Sequence, residues 1–104
     1  MAMKSLLENM LNIPQPTEIS LIQNYPNPFN TETMIAIILP MESKISMSVF
    51  DLHGNHVTDI LKNEHLPEGE SIIQWNAAAH PSGIYFCKME TPQYQQTQKM
   101  ILLK

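Results

Sequence analysis

Arginine is absent from this chain, and six lysines face ten acidic residues, for a net charge of −4. Arginine is the side chain that reads phosphates and guanine edges best, so nucleic-acid binding is disfavoured from the start. Cysteine occurs once, at Cys87, which excludes an internal disulfide framework and leaves the compartment open. Glycine occurs only at positions 54, 69 and 83, too few and too scattered for a phosphate-cradling loop. No uncharged apolar run approaches the roughly 18 residues of a membrane-spanning helix. What remains is ordinary globular material: 104 residues, 43% hydrophobic, enough for one domain with a real core.

The first eighteen residues differ from the rest. "MAMKSLLENMLN" places Met3, Leu6, Leu7, Met10 and Leu11 at helical spacing, and "IPQPTE" follows as a stiff linker with Pro14 and Pro16. Glu8 and Asn9 interrupt the apolar run and no small-residue cleavage site follows, which argues against a signal peptide. Two readings are open: a short helix or disordered tail, or an amphipathic helix that packs on another chain and lets the protein self-associate.

From Ile19 the period changes from helical to two. "TMIAIILP" alternates through Ile35, Ile37 and Leu39, and "KISMSVFDL" through Ile45, Met47 and Val49. "HVTDIL", "SIIQW", "GIYFCKM" and "TQKMILLK" follow, and with the initial "ISLIQ" they make about seven short strands. Pro40, "DLHGN", "LPEG" and "HPSG" punctuate them, the last three as hairpin turns in which Gly54, Gly69 and Gly83 are expected to take positive φ. The pattern predicts an all-β, Ig-like antiparallel sandwich over residues 19–104, with residues 1–18 as a helical or linker segment. Phe29, Ile35, Ile37, Val49, Trp75 and Tyr85 are its expected core.

One stretch is unusually constrained. "NYPNPFN" holds Asn24, Tyr25, Pro26, Asn27, Pro28, Phe29 and Asn30. Each proline fixes its own φ and pushes its predecessor towards extended backbone. Asn27 and Asn30 are expected to bond nearby amides and close turns, and both rings to enter the core. The result is a rigid elbow.

The search for chemistry is short. His53, His56, His65 and His80 fall in or beside turns, without a third ligand at zinc spacing. Asp51 and the asparagines lack the carboxylate count of a calcium loop. Cys87 sits in phase with Tyr85 and Met89, as a buried small hydrophobe would. No serine occupies a nucleophile elbow. Trp75 and Tyr85 would suit carbohydrate stacking only if they were exposed, and their phase directs them inward. No catalytic, metal or cofactor site is expected.

The order of the motifs carries more. "LIQNYPNPFNTET", "SVFDLHGNHV", "LPEGESIIQWN", "PSGIYFCKM" and a final "QKMILLK" closely resemble the C-terminal sorting domain (type A class) of cargo exported by the type IX, or Por, secretion system of Bacteroidetes and relatives. The resemblance spans Leu21 to Lys104. A fainter one is to the Ig-like C-terminal module of flagellar hook-capping proteins. Position by position, Asn24 to Asn30 match the opening motif, Asp51 and Gly54 the hairpin, and Gly69 and Trp75 the next turn and strand. Ser82, Gly83 and Tyr85 match the following motif. Lys99, Met100, Ile101, Leu102, Leu103 and Lys104 match the terminal one. Ala77 departs from the family, which often has glycine there.

The resemblance implies a non-catalytic address label that binds no cofactor. Such a domain is recognised after its cargo reaches the periplasm and guides that cargo through the outer membrane. A sortase-like peptidase usually cuts it away, and the cargo is released or attached to surface lipopolysaccharide. The implied partners are outer-membrane secretion and sortase-like components, and an upstream cargo domain missing from this chain, which is expected to be a fragment. A structural Ig-like surface or hook-cap module and a carbohydrate-binding sandwich are the alternatives. The lysine-bracketed terminal strand suits pairing with a receptor's sheet edge.

Overall fold

The computed structural model describes residues 19–21 and 23–104; the expected N-terminal helix or linker lies outside the described residues. Seven strands form: β1 (Ser20–Leu21), β2 (Glu32–Leu39), β3 (Ser43–Asp51), β4 (His56–Leu66), β5 (Gly69–Asn76), β6 (Gly83–Glu90) and β7 (Gln95–Leu102). They build two antiparallel sheets, one in the order β1-β2-β5 and the other in the order β4-β3-β6-β7.

The period-2 pattern decides which side chains meet. Along β2, Thr33, Ile35, Ile37 and Leu39 point inward and are buried, while Met34 is exposed. From the other sheet come Ile45, Met47 and Val49, then Tyr85, Cys87 and Met89, then Met100 and Leu102. All but Thr33 join one cluster with Leu21, Phe29, Trp75 and Ala77. The six expected core residues are all in it.

Three local expectations fail. Of the three expected hairpin turns only "DLHGN" closes one, where the Gly54 amide donates to Asp51 O at 3.0 Å. "LPEG" and "HPSG" instead carry the chain across from one sheet to the other, because β5 pairs with β2 and not with its neighbours in sequence. The second hairpin lies at Thr91–Tyr94, between β6 and β7, where Thr91 N donates to Tyr94 O at 2.7 Å. Positive φ is needed at Gly54 (85°) and Gly69 (97°), and Gly83 does not share it. β4 also runs five residues beyond "HVTDIL", through register shifts against β3 and a left-handed Asn63 (φ 52°).

Gly69→Ala isolates the cost of such a backbone. A Cβ there would meet no atom within 4 Å, so the expected loss comes from φ alone, about 1–2 kcal/mol. Gly83→Ala, whose Cβ would touch only Tyr85 Cε2 at 4.0 Å, should be nearly neutral. Urea midpoints of the two variants check this; equal shifts would refute it.

Candidate functional site

The elbow is built around a buried amide. Asn24 is 3% exposed, and its Nδ2 donates to Thr33 Oγ1 at 2.9 Å and to Pro26 O at 3.2 Å. Thr33 Oγ1 in turn donates to Pro26 O at 2.9 Å, and Gln23 Nε2 donates to Asn24 Oδ1 at 2.6 Å. Burying these polar atoms is tolerable because each has its partner. The Tyr25–Pro26 and Asn27–Pro28 peptide bonds are both cis. Thr31 follows at φ 89°, a conformation that costs a β-branched residue about 1–3 kcal/mol, held by the Ala77 amide donating to Thr31 O at 2.6 Å.

The rings part company here. Phe29 is 2% exposed, but Tyr25 is 77% exposed, so only one of the two enters the core. Tyr25 faces outward because its backbone pairs with Met34, itself an outward residue of β2. Asn27 also departs from the expected local turn. Its Oδ1 accepts the amide of Ile101, 74 residues away. Asn30 stays local, with its Oδ1 accepting from Thr31 Oγ1 at 3.1 Å.

Those bonds bring the elbow to the terminal strand. Phe29 N donates to Ile101 O and Leu103 N donates to Phe29 O, both at 2.9 Å, which makes a parallel bridge between Phe29 and Leu102. Gln23 Nε2 donates to Lys99 O at 2.9 Å. Further along, the side chains of Gln96 and Gln98 donate to Leu21 O, tying β7 to β1. Nothing in the sequence between positions 30 and 99 signals this closure.

Behind the bridge, aromatic side chains stack. Trp75 lies 5.8 Å from Phe29, 5.8 Å from His80 and 5.9 Å from Tyr85 between ring centroids. Trp75 is only 6% exposed, so it offers no stacking platform to a sugar. Tyr85 Oη donates to Pro81 O at 2.6 Å, and burial, followed by the nearby Asp51 charge, raises its pKa. Lys104 completes this end of the molecule: its amide donates to Ser82 Oγ at 3.0 Å and its Nζ to Ala78 O at 2.7 Å.

An open groove of about 370 Å³ runs between the β3–β4 hairpin and the β5–β6 crossing, lined by Asp51, His53, His80, Ser82 and Tyr85 among others. Asp51 is already engaged. Its Oδ1 accepts from the amides of His53 and Asn55, both at 2.9 Å, and the Asn55 amide above all holds the carboxyl below its usual pKa. A carboxylate with a depressed folded pKa contributes stability above its unfolded pKa and loses it as the pH falls through the folded value. The wild-type urea midpoint should therefore drop as the pH falls below about 4. Asp51→Asn should start lower and fall less over the same window. Parallel acid profiles for the two would refute this.

Among the described residues, no group of three or more His, Cys, Asp or Glu side chains is placed to hold a metal ion. Cys87 is buried, and its thiol is pushed up to about 12 by desolvation. His56 Nε2 donates to the Asp59 carboxylate at 2.8 Å on the exposed face of β4.

Of the motif residues, the elbow, Asp51, Gly54, Trp75, Ser82, Gly83, Tyr85 and the last residues of β7 gather at one end of the two sheets. Gly69 stands apart, paired with Leu39 at the other end. Gln23 and Thr33 are the contributors the sequence did not single out; both look like ordinary polar strand residues.

No curated protein matches the chain. Comparison with protein families matches residues 23–103 to the secretion system C-terminal sorting domain, a span that takes in the elbow, the aromatic cluster, all of β7 and Leu103. The chain belongs to this family of sorting domains, the C-terminal signals by which cargo is directed through the type IX secretion system.

Proposed function

We propose that the part of the signal read by the secretion machinery is the terminal segment Lys99–Lys104 as the folded domain presents it, with the elbow as its holder. The observation that carries this reading is the parallel bridge of Phe29 to Leu102, in which Phe29 N donates to Ile101 O and Leu103 N donates to Phe29 O. Two motifs far apart in sequence meet there, and the exposed side chains Lys99 and Leu103 stand on the result.

The domain is residues 19–104. Its architecture is an Ig-like sandwich. Supporting this are the consecutive strands that cross between sheets and the Tyr85 hydroxyl bonded to Pro81 O at the β5–β6 corner, as in a tyrosine corner. β4 lies beside β3, whereas constant-type Ig domains place the fourth strand beside the fifth. The domain works without catalysis. It is engaged in the periplasm by outer-membrane components of the system and removed by a sortase-like peptidase, leaving the cargo released or attached to surface lipopolysaccharide.

The test is a periplasm-targeted fluorescent reporter fused ahead of the chain, in a host that has the system. Lys99→Glu with Leu103→Asp alters two exposed side chains and leaves the core residues Met100 and Leu102 in place. Melting should shift little, since surface changes are usually within about 0.5 kcal/mol, while the reporter stays in the periplasm. Export of the variant at the parental rate would show that these side chains are not the address. A parental fusion that never left the periplasm would favour a purely structural module.

A further inference from the structure

An edge strand of an antiparallel sheet directs the N–H and C=O of every second residue outward, where another strand can pair with them. On β7 and just past its end these residues include Lys99, Ile101 and Leu103, since Gln23 and the elbow meet their backbone groups. Phe29 donates its N–H to Ile101 O and accepts from Leu103 N, which is how one residue of a parallel strand pairs across from Leu102. One step back along β7, the same pair of roles recurs across from Met100. Lys99 O receives an N–H at 2.9 Å and the Ile101 amide meets an oxygen at 3.0 Å. Here, however, no backbone supplies them. The N–H is Gln23 Nε2 and the oxygen is Asn27 Oδ1. Pro28 interrupts the segment before Phe29, and the two side-chain amides fill the place of the next residue of a parallel strand.

We propose that the outer edge of β7 at Lys99–Ile101 is a docking edge for an extended backbone segment of the secretion machinery, one that runs parallel to β7 and displaces the Gln23 and Asn27 side chains. Gln23 and Asn27 are themselves exposed, so both can swing into solvent, Asn27 freely and Gln23 at the cost of its bond to the buried Asn24 Oδ1. The direction follows from the pair of capped groups, Lys99 O and Ile101 N, since an antiparallel strand takes the N–H and C=O of a single residue. An antiparallel strand pairing at Ile101 needs both its N–H and its C=O, and Phe29 already holds the C=O. A parallel strand pairing across from Met100 needs Lys99 O and Ile101 N, the two groups that carry only side-chain caps. The incoming segment therefore continues the short ladder that Phe29 begins. This inference rests on the reading of the terminal segment as the address.

Gln23→Ala combined with Asn27→Ala tests it in the full chain. Each capping bond is a net contribution that shifts opening by on the order of fivefold. In the purified double variant the Ile101 amide should exchange hydrogen faster by about that factor or more, with circular dichroism unchanged. In the reporter fusion, export should be faster than with the parental chain, because the machinery no longer competes with the caps. Asn27→Ala alone should lie between the two, and serves if the double variant is unstable. Unchanged or slower export from a folded variant overturns the docking edge, showing the two amides to be structural or part of the surface that is read. A variant that becomes a dimer in solution also overturns it, since a second copy would then be the edge's occupant. A parental fusion that is never exported fails the address reading itself, and the docking edge with it.

Discussion

Trp75→Ala should lower the stability of the domain by about 3–5 kcal/mol, a large share of the roughly 5–15 kcal/mol that a domain of this kind possesses. The indole touches three neighbours that come from three different parts of the chain: Phe29 of the elbow, His80 of the β5–β6 crossing and Tyr85 at the start of β6. Truncation leaves a cavity that cannot collapse easily, because Phe29 is fixed by its bridge to β7 and Tyr85 by its bond to Pro81 O. Trp75 is the sole tryptophan, so the variant must be followed by far-ultraviolet circular dichroism in urea. Ile72→Ala, on the same strand but 60% exposed, is the matched control and should move the midpoint little. Equal shifts in the two variants would mean that the indole is not packed as described.

Deleting Lys99 to Lys104 should have a still larger effect. The deletion removes Met100 and Leu102, both fully buried, at about 2–5 kcal/mol each. It also removes the strand segment that Phe29 bridges and the Lys104 contacts to Ser82 and Ala78. The sum rivals the total stability of the domain, so the truncated chain should lose cooperative urea unfolding and dispersed amide resonances. Its reporter should then stay inside the cell because the domain is unfolded as well as because the terminal segment is gone. The exposed-residue variant described above is for this reason the cleaner probe of recognition. A truncated chain that kept a cooperative transition would show that β7 contributes far less to the core than its burial implies.

Much of the fold was legible because period-2 alternation is a local property. Ile35, Ile37 and Leu39, or Tyr85, Cys87 and Met89, announce a buried face whatever strand lies opposite. Pairing is not local. "LPEG" reads as a hairpin on its residues alone, and only the placement of β5 beside β2 turns it into a crossing between sheets. "TPQY" makes a true hairpin without glycine, which weakened its signal. The elbow was recognisable from its prolines and asparagines, yet its contents sorted in ways that depend on tertiary context. Tyr25 goes out because Met34 does, Asn24 carries the buried network, and Asn27 reaches across to Ile101. The candidate site was thus visible as separate motifs. Their meeting was not, because no local rule links position 29 to position 102.

That meeting also sets an order of events in time. Leu21 is bonded to Gln98, Asn27 to Ile101, and Phe29 to Ile101 and Leu103, so the opening residues of the domain wait for its closing ones. Contacts spanning more than 70 residues place the domain among slow-folding topologies, in which distant segments must find each other before the sheets can close. A ribosome still synthesising the domain withholds β7 until the six strands before it have been made. The elbow has nothing to grip before then. A product that stops short of β7 therefore cannot assemble this end of the molecule.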